Sequence, residues 1–251
     1  GLSLRPAVGQ NTLAYIRDSI SAQAHFIQQE YIYTHTGWRK IGGSWAFLHA
    51  GGAIGAQGVR VELDGRLSRY ALQLCGDLSA AQETVKKLLR LAPREVMIPL
   101  VGFVFLTPLN EFLRQAGFEP SFILYLLGVT GAMKSTLAAL LLCFFGSFDN
   151  MSLPSSFKDT ANSLEKQGFL LKDVLTVVDD YHPTGSRQEA VKIQAVAQSL
   201  SRMYGDRTGR GRMNADSSLR RSYIPRGNLL ITGEDVAEIG QSGAARNMVD
   251  R

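Results

Sequence analysis

Apolar and polar residues follow three successive rhythms in the first part of the chain. Apolar side chains recur every three or four positions over residues 11–30, which predicts an amphipathic helix. From residue 31 to about 76 the pattern shortens to alternating stretches separated by glycine pairs, which predicts a small antiparallel β module. Residues 79–91 and 95–116 return to helical spacing. We expect these two helices to form a helical connector.

Three continuous apolar runs follow in the second part of the chain, at residues 121–127, 174–178 and 228–232. Such runs are typical of strands that are buried on both faces of a parallel sheet. Helical segments lie between them, which is the order of a three-layer α/β domain. We therefore predict two domains. Residues 1–117 hold the first helix, the β module and the connector, and residues 118–251 hold the α/β domain.

Length and composition narrow the class of protein without identifying it. A chain of 251 residues with 45% hydrophobic residues is an ordinary globular chain, which excludes wholesale disorder and fibrous repeats. Cys75 and Cys143 lack metal-ligand spacing, so neither a zinc site nor a disulfide framework is indicated. The longest apolar run, residues 96–106, has about half the length of a bilayer span and predicts a buried helix. We interpret the chain as a cytoplasmic fragment of a longer protein without a membrane segment.

A glycine-containing loop with Lys-Ser stands directly between the first buried run and a helical segment. Strand, loop, Lys-Ser and helix is the context that a phosphate-binding loop (P-loop) requires, and it predicts ATP with Mg²⁺. The predicted binding residues are Gly128, Thr130, Gly131, Ala132, Met133, Lys134, Ser135 and Thr136. Met133 stands where the strict pattern has glycine, so its side chain is expected to crowd the loop or restrict its dihedrals. The alternative is a turn with an incidental Lys-Ser.

The second buried run ends in two carboxylates, Asp179 and Asp180. Ligands of open α/β sheets gather at the carboxyl ends of the strands, which is where these residues are expected. Asp179 is predicted to hold Mg²⁺ through water, and Asp180 to orient or deprotonate the attacking water. The alternative is an acidic turn before His182-Pro183.

Two further residues are candidates for hydrolysis. Thr232 ends the third run and is predicted to sense the γ-phosphate or hold the attacking water, although a capped strand-to-helix turn explains it equally well. Arg246 follows the next helical segment, where ring ATPases place an arginine that reaches the γ-phosphate of a neighbour. An ordinary salt bridge is the alternative for Arg246.

Much of the net charge of +5 arises from one segment between the second and third runs. Residues 202–226 contain seven arginines and two aspartates, interleaved with glycines, which suits a mobile loop or hairpin on a phosphate backbone. The predicted DNA contacts are Arg207, Arg210, Arg212, Arg220 and Arg221. A solvated loop or ion pairs with a neighbouring subunit are the alternatives. Aromatic residues are few in this segment, so base stacking is not supported there.

Taken together, these motifs resemble a family of P-loop ATPases from bacterial plasmids, phages and integrated elements. Its members are found with or fused to primase–polymerase domains and are described as helicase-like. The resemblance spans about residues 31–249 and is carried by residues 35–39 through 51–55, 128–135, 177–185, 209–213, 225–227, 232–235, 240–242 and 245–246.

The resemblance implies an AAA+-type fold related to superfamily-three and minichromosome-maintenance helicases. Those proteins insert a hairpin just before the third motif strand and use it to grip DNA in the pore of a hexameric ring. The arginine-rich segment occupies that position here, beside the expected ATPase edge of the sheet. The resemblance also favours Arg246 as a finger that acts on the adjacent subunit, and Met133 as a subgroup variant.

These observations lead to two competing functions. The first is an ATP-dependent DNA helicase or translocase from a mobile-element or phage replication system, which acts on DNA, most naturally single-stranded, as a homo-oligomeric ring. The second is an ATP-binding assembly switch that hydrolyses little and recruits a primase, which Met133 and Asp180 favour. A small-molecule kinase is disfavoured, because it has no need of the third strand and Arg246.

Overall fold

The computed structural model describes residues 11–23, 30–73, 76–183, 186–207, 212–213, 219–220 and 222–235. The chain divides into two compact units, Gly1–Tyr31 and Ile32–Arg251. In the first unit, helix α1 spans Thr12–Gln23, and the side-chain oxygen of Asn11 accepts a hydrogen bond from the Leu13 backbone N–H at 3.2 Å. The predicted first helix is therefore confirmed for this span, and most of its remainder lies outside the described residues.

The second unit begins with short strands. They are β1 (Ile32–Tyr33), β2 (Gly37–Ile41), β3 (Ser44–His49), β4 (Gly52–Ile54) and β5 (Arg60–Val61). Strands β2, β3 and β4 form an antiparallel sheet, as predicted for the β module. Strands β1 and β5 instead pair in parallel, because β2 to β4 form a long crossover between them.

The connector is helical, as predicted. A 3-10 helix at Gly65–Arg69 is followed by α2 (Leu78–Leu88), α3 (Arg94–Leu106), a 3-10 turn at Thr107–Leu109, and α4 (Asn110–Gln115). The stretch Arg94–Gln115 is long and apolar enough to cross a membrane by length and composition alone. In the structure, however, Met97, Leu100 and Val104 of α3 are at most 5% exposed, so this helix packs into the hydrophobic core of the protein.

The rest of the unit is an α/β layer structure. Its elements are β6 (Ile123–Leu127), α5 (Lys134–Leu142), β7 (Ser155–Ser156), α6 (Ala161–Leu170), β8 (Leu175–Tyr181), α7 (Arg187–Gly205), β9 (Arg212–Met213), β10 (Leu219–Arg220) and β11 (Asn228–Gly233). Strands β6, β11, β8 and β7 form a parallel sheet in that order. The predicted α/β class with a parallel sheet is therefore confirmed.

The last strand along the chain, β11, lies in the middle of this sheet. Every residue of β11 is buried, whereas β6 is half-buried because, in the part of the chain that the structure describes, β11 is its only neighbour. The order brings the carboxyl ends of β6, β11 and β8 side by side. Residues far apart in sequence thereby meet at one edge of the sheet.

The hydrophobic core fills both faces of the parallel sheet. One cluster joins Leu48 of the β module and Val104 of α3 to Leu141 of α5 and Val177 of β8. The other packs α6 and α7 against the opposite face. The β module and the parallel sheet thus share apolar contacts within one compact unit, and the domain boundary near residue 118 stays a prediction.

A buried polar contact also fixes the β module to the amino-terminal edge of the parallel sheet. The Thr36 hydroxyl donates to the Lys172 carbonyl at 2.8 Å, and the Trp38 backbone N–H donates to Asp173 Oδ2 at 3.0 Å. Lys172 and Asp173 directly precede β8. Asp173 is fully buried and also bonds to Arg114 of α4 at 3.2 Å, so its charge is paired.

Candidate functional site

The loop at residues 128–133 connects β6 to α5 at the carboxyl edge of the sheet. Gly131 has φ +82° and Met133 has φ +57°, and the Gly128 backbone N–H donates to the Gly233 carbonyl at 3.2 Å. Helix α5 begins without a side-chain cap, whereas α2, α6 and α7 are capped by Asp77, Thr160 and Ser186. The first N–H groups of α5 therefore suit an anion.

Met133 stands in the left-handed conformation that glycine adopts without cost. Its side chain is 73% exposed, so it does not crowd the loop. The side chain therefore restricts the backbone dihedrals of the loop, which is the second of the two effects expected at this position.

Lys134 is the first residue of α5, and its ammonium group lies back over the loop. Its Nζ donates to the Gly128 carbonyl at 2.7 Å and to the Val129 carbonyl at 2.9 Å. The positive charge is thereby held at the helix N-terminus, where an anion gains most from it.

Two hydrogen bonds that meet at Asp179 join α5, β8 and β11 at the same edge. The Ser135 hydroxyl donates to Asp179 Oδ1 at 2.8 Å, and the Thr232 hydroxyl donates to the same oxygen at 2.5 Å. The Asp180 backbone N–H donates to Thr232 Oγ1 at 3.1 Å. The structure thus brings together Ser135, Asp179 and Thr232, which are 97 residues apart in sequence at the extremes.

Asp180 lies at an irregularity in the sheet. The register between β11 and β8 shifts between Ile231 and Gly233, and Asp180 has φ +67°. A bulge of this kind re-aims a side chain, and here it leaves Asp180 exposed beside the half-buried Asp179. The two carboxylates are therefore in different environments.

The hard oxygen atoms at this edge fit Mg²⁺. The Ser135 hydroxyl and the Asp179 carboxylate are the ligand types that Mg²⁺ takes, and Mg²⁺ fills its remaining positions with water and phosphate oxygens. Within the described ranges, no group of three or more His, Cys, Asp or Glu side chains could hold a metal by itself. The residues present thus suit a metal that arrives with a phosphate ligand.

Sequence reasoning did not assign a role to Glu234, which lies just beyond β11. Its Oε1 accepts a hydrogen bond from the Thr130 hydroxyl at 2.5 Å, and its Oε2 lies 3.1 Å from His182 Nδ1. Glu234 therefore links the 128–133 loop to the end of β8. Its position two residues after Thr232 is the feature of the sequence that could have identified Glu234 as part of the site.

The arginine-rich segment contains a hairpin, and the arginines that flank it contact the opposite edge of the sheet. Strands β9 and β10 pair antiparallel, with Arg220 opposite Arg212. Arg207 and Arg226 flank this hairpin. The Arg207 guanidinium donates to the carbonyls of Pro120 before β6 and Gly227 before β11, and the Arg226 carbonyl accepts a hydrogen bond from the Asp173 backbone N–H before β8. These flanking arginines therefore lie at the amino-terminal edge, whereas the segment was expected beside the carboxylates.

Arg207 does not suit the predicted DNA contact. Its side chain is 9% exposed, and its guanidinium donates to the carbonyls of Pro120 at 3.0 Å, Pro225 at 3.2 Å and Gly227 at 2.9 Å. These bonds tie the end of α7 to the starts of β6 and β11. The side chains of Arg212 and Arg220, and all of Arg210, Arg221 and Arg246, lie outside what the structure describes.

No curated protein matches this chain. Among solved structures, it is similar to the one named "SCCmec type IV Cch - active helicase", at 15% identity and a TM-score of 0.52. The similarity covers 90% of this chain and 41% of that one, so the chain spans about two fifths of that helicase. At this identity the likeness shows a shared fold.

The family to which the chain belongs follows from the sequence match. Residues 6–216 match a family described as a domain of unknown function, DUF927. Since this match covers most of the 251 residues, the chain belongs to the DUF927 family.

Proposed function

We propose that this protein is an ATP-dependent DNA helicase-like or translocase-like ATPase of a mobile-element or phage replication system. The observation that carries the proposal is the pair of hydrogen bonds from Ser135 and Thr232 to Asp179, beside the uncapped N-terminus of α5. Helix terminus, lysine, hydroxyl and carboxylate are the groups that a nucleotide triphosphate with Mg²⁺ needs. The shared fold with a helicase of SCCmec supports a role in a mobile element.

Residues 128–136 form the proposed P-loop. The free N–H groups of the loop and of α5 bind phosphate oxygens, and Lys134 exchanges its two carbonyl partners for the β- and γ-phosphates. Ser135 and Asp179 hold Mg²⁺, Asp179 directly or through water. When bound, Mg²⁺ neutralises charge that develops on the phosphate oxygens.

Hydrolysis is assigned to the polar residues at the strand ends. Asp180 is exposed at the bulge and orients or deprotonates the attacking water, while Thr232 fixes the Asp180 backbone and the Asp179 carboxylate. Arg246 completes the site of the adjacent subunit in a homo-oligomeric ring. The AAA+ relation and the ring are part of this proposal, and its natural setting is the cytoplasm.

DNA is assigned to the arginine hairpin, through Arg210, Arg212, Arg220 and Arg221, with single-stranded DNA as the preferred form. Arg207 is left out because it is buried. Strand β11 runs from the hairpin base to Thr232, and its six buried residues span about 20 Å. A shift of Thr232 on hydrolysis would therefore reach the hairpin through one rigid element.

The test of the ATP site is nucleotide binding and hydrolysis by the purified chain. We expect Lys134→Ala to abolish Mg²⁺-dependent ATP hydrolysis and weaken ATP binding. Lys158→Ala, which removes an exposed lysine near the start of α6, is expected to leave both unchanged. Full activity of Lys134→Ala would contradict the proposal.

A second candidate is an ATP-binding assembly switch that recruits a primase. The strained Met133 favours it, since a loop without glycine at this position is less free to rearrange. Such a switch binds ATP tightly but shows no translocation or unwinding on forked DNA. Measured unwinding by an assembled ring would reject the switch.

A further inference from the structure

Half-buried aromatic rings lie beside arginines at the amino-terminal edge of the sheet, the edge that carries the arginine hairpin. The guanidinium carbon of Arg226 lies 3.9 Å from the centre of the Phe169 ring. The Tyr223 ring packs on the same Phe169 ring with 5.2 Å between centroids. This group joins the end of α6 to the segment that returns from the hairpin.

A similar group lies on β1 and β2. The guanidinium carbon of Arg39 is 6.0 Å from the centre of the Tyr33 ring, and Tyr33 meets His35 edge to face at 6.3 Å. Arg39 is exposed and, among the described residues, makes no ion pair. Its charge is therefore available to a ligand.

The two groups are neighbours. The Thr36 backbone N–H donates to the Leu170 carbonyl at 3.0 Å, which holds His35 next to the end of α6. Burial, together with nearby positive charges, lowers the pKa of His35 to about 4, although a hydrogen bond with the Thr36 carbonyl opposes the shift. These charges are those of Arg226, Lys172 and Arg39. We call the residues of these two neighbouring groups the edge strip: Tyr33, His35, Arg39, Phe169, Tyr223 and Arg226.

We propose that the edge strip is a stacking surface for single-stranded DNA that continues the path of the arginine hairpin onto the β module. This proposal rests on the proposed function, because it extends the same DNA track. Bases stack on the rings of Tyr33 and Tyr223, and Arg39 contacts a backbone phosphate. Aromatic faces next to cations are the features by which proteins bind unpaired bases.

Charge and aromatic content both favour this occupant. Glu62, whose backbone N–H bonds to the Tyr33 carbonyl, has its carboxylate on Arg60 at 2.6 Å, so it does not neutralise Arg39. Within the arginine segment itself, Tyr204 is 1% exposed and cannot stack on a base. The stacking rings are therefore the half-buried Tyr223 of the same segment and Tyr33 of β1.

The test compares two charge reversals on the same strand. Arg39→Glu and Lys40→Glu change the net charge equally, but neighbouring residues of a strand point to opposite faces, and Lys40 lies over Trp45 at 5.1 Å. Affinity of the 251-residue chain for a fluorescent oligothymidylate is measured by anisotropy over a series of salt concentrations. We expect Arg39→Glu to weaken binding about tenfold and to reduce the salt slope by about 0.7, as for one lost phosphate contact. Lys40→Glu is expected to change affinity less than about twofold.

Stacking is tested separately. Tyr33→Leu is expected to weaken binding about tenfold, whereas Tyr33→Phe keeps the ring and is expected to keep the affinity. Equal losses in Arg39→Glu and Lys40→Glu, or equal affinities of Tyr33→Leu and Tyr33→Phe, would overturn the edge strip.

A third variant separates this proposal from the proposed function. If the double variant Arg212→Ala, Arg220→Ala loses the oligonucleotide while Arg39→Glu binds like the natural chain, only the edge strip is rejected. If the natural chain itself does not bind the oligonucleotide, both proposals are rejected.

Discussion

Met133 and Asp180 hold left-handed backbone conformations on two sides of the candidate site, with φ of +57° and +67°. A residue with a Cβ pays about 1–2 kcal/mol for this conformation. Such strain persists where the surrounding structure requires it, and it concentrates at functional sites. The left-handed conformation of Met133 directly precedes the first residue of α5. That of Asp180 lies at the register shift between β8 and β11, where its carboxylate is exposed.

Replacing Met133 with glycine removes the strain in the loop. We expect Met133→Gly to change the free energy of unfolding by about 0 to +1 kcal/mol, because relief of strain offsets the entropy that glycine adds to the unfolded chain. Met151→Gly is the matched control, since Met151 is 90% exposed and has no positive φ. It should lose about 0.5–1 kcal/mol. Urea unfolding measures both, and equal destabilisation by the two variants would contradict the account.

The proposed role of Asp180 as the base in ATP hydrolysis can be tested by a single substitution. Asp180→Asn keeps the size and removes the base, so we expect the rate of ATP hydrolysis to fall by about 10²–10⁴-fold with ATP affinity retained. Asp149→Asn, a change in an exposed loop away from the site, should leave the rate unchanged. A variant Asp180→Asn that hydrolyses ATP at the natural rate would remove Asp180 from the mechanism.

Among the elements, strand β2 depends on a close backbone approach. A Cβ at Gly37 would lie 2.3 Å from the Lys172 carbonyl, whereas one at Gly43 would have nothing within 4 Å. The two glycines have nearly the same φ, +87° and +88°. We expect Gly43→Ala to cost about 1 kcal/mol from strain alone, and Gly37→Ala to cost at least about 2 kcal/mol more.

The comparison isolates the contact between β2 and the segment before β8. Thermal unfolding of both variants gives the difference. Equal transition temperatures would mean that the β module is not held by this approach.

Helix α4 contributes a carboxylate to the same contact, and its protonation makes stability depend on pH. Burial raises the pKa of Glu111, but hydrogen bonds from Lys172, Gln115 and Arg114 outweigh it and lower the pKa from 4.5 to about 2. The folded protein therefore binds the proton less readily than the unfolded chain. The stabilisation of the folded protein by the ionised Glu111 is present above pH 4.5 and is lost as the pH falls to about 2.

We expect Glu111→Gln to lower the free energy of unfolding by about 1–2 kcal/mol at pH 7, and the difference from the natural chain to shrink towards pH 2. Glu83→Gln is the control, because Glu83 pairs with Lys86 on an exposed helix surface and should have little effect. Urea unfolding at a series of pH values checks this. A difference that does not change with pH would contradict the ion-pair explanation.

The strands that arise from continuous apolar runs were predictable from the sequence. The runs that became β6, β8 and β11 are continuous and apolar, and the polar residues Ser135, Asp179 and Thr232 follow strand ends or open a helix, so they were expected at one edge. The short β7 carries no such run. The parallel pairing of β1 with β5 depends on contacts between distant segments, which alternation alone does not encode.

The sequence alone also did not reveal which arginines bind within the fold. Arg207 and Arg212 are alike in sequence, both basic and close to glycine. The role of Arg207 followed only from the fold, because the segment before β6 supplies the Pro120 carbonyl that its guanidinium contacts. Likewise Glu234 gained a role once β6 and β11 were adjacent and Thr130 came within 2.5 Å of it.

At the scale of the whole molecule, the two edges of the parallel sheet have different chemistry. The carboxyl edge gathers the hydroxyls and carboxylates proposed for ATP and Mg²⁺, and the amino-terminal edge holds the arginine hairpin and the edge strip proposed for DNA. Strand β11 runs between them through the middle of the sheet. We propose that DNA binding at the amino-terminal edge changes the rate of ATP hydrolysis at the carboxyl edge.

The most direct test of this claim is the rate of ATP hydrolysis by the 251-residue chain with and without single-stranded DNA. We expect DNA to raise the rate, and we expect the double variant Arg212→Ala, Arg220→Ala to keep the basal rate but to lose the stimulation. A rate that does not respond to DNA in the natural chain, or stimulation that survives in the double variant, would contradict it.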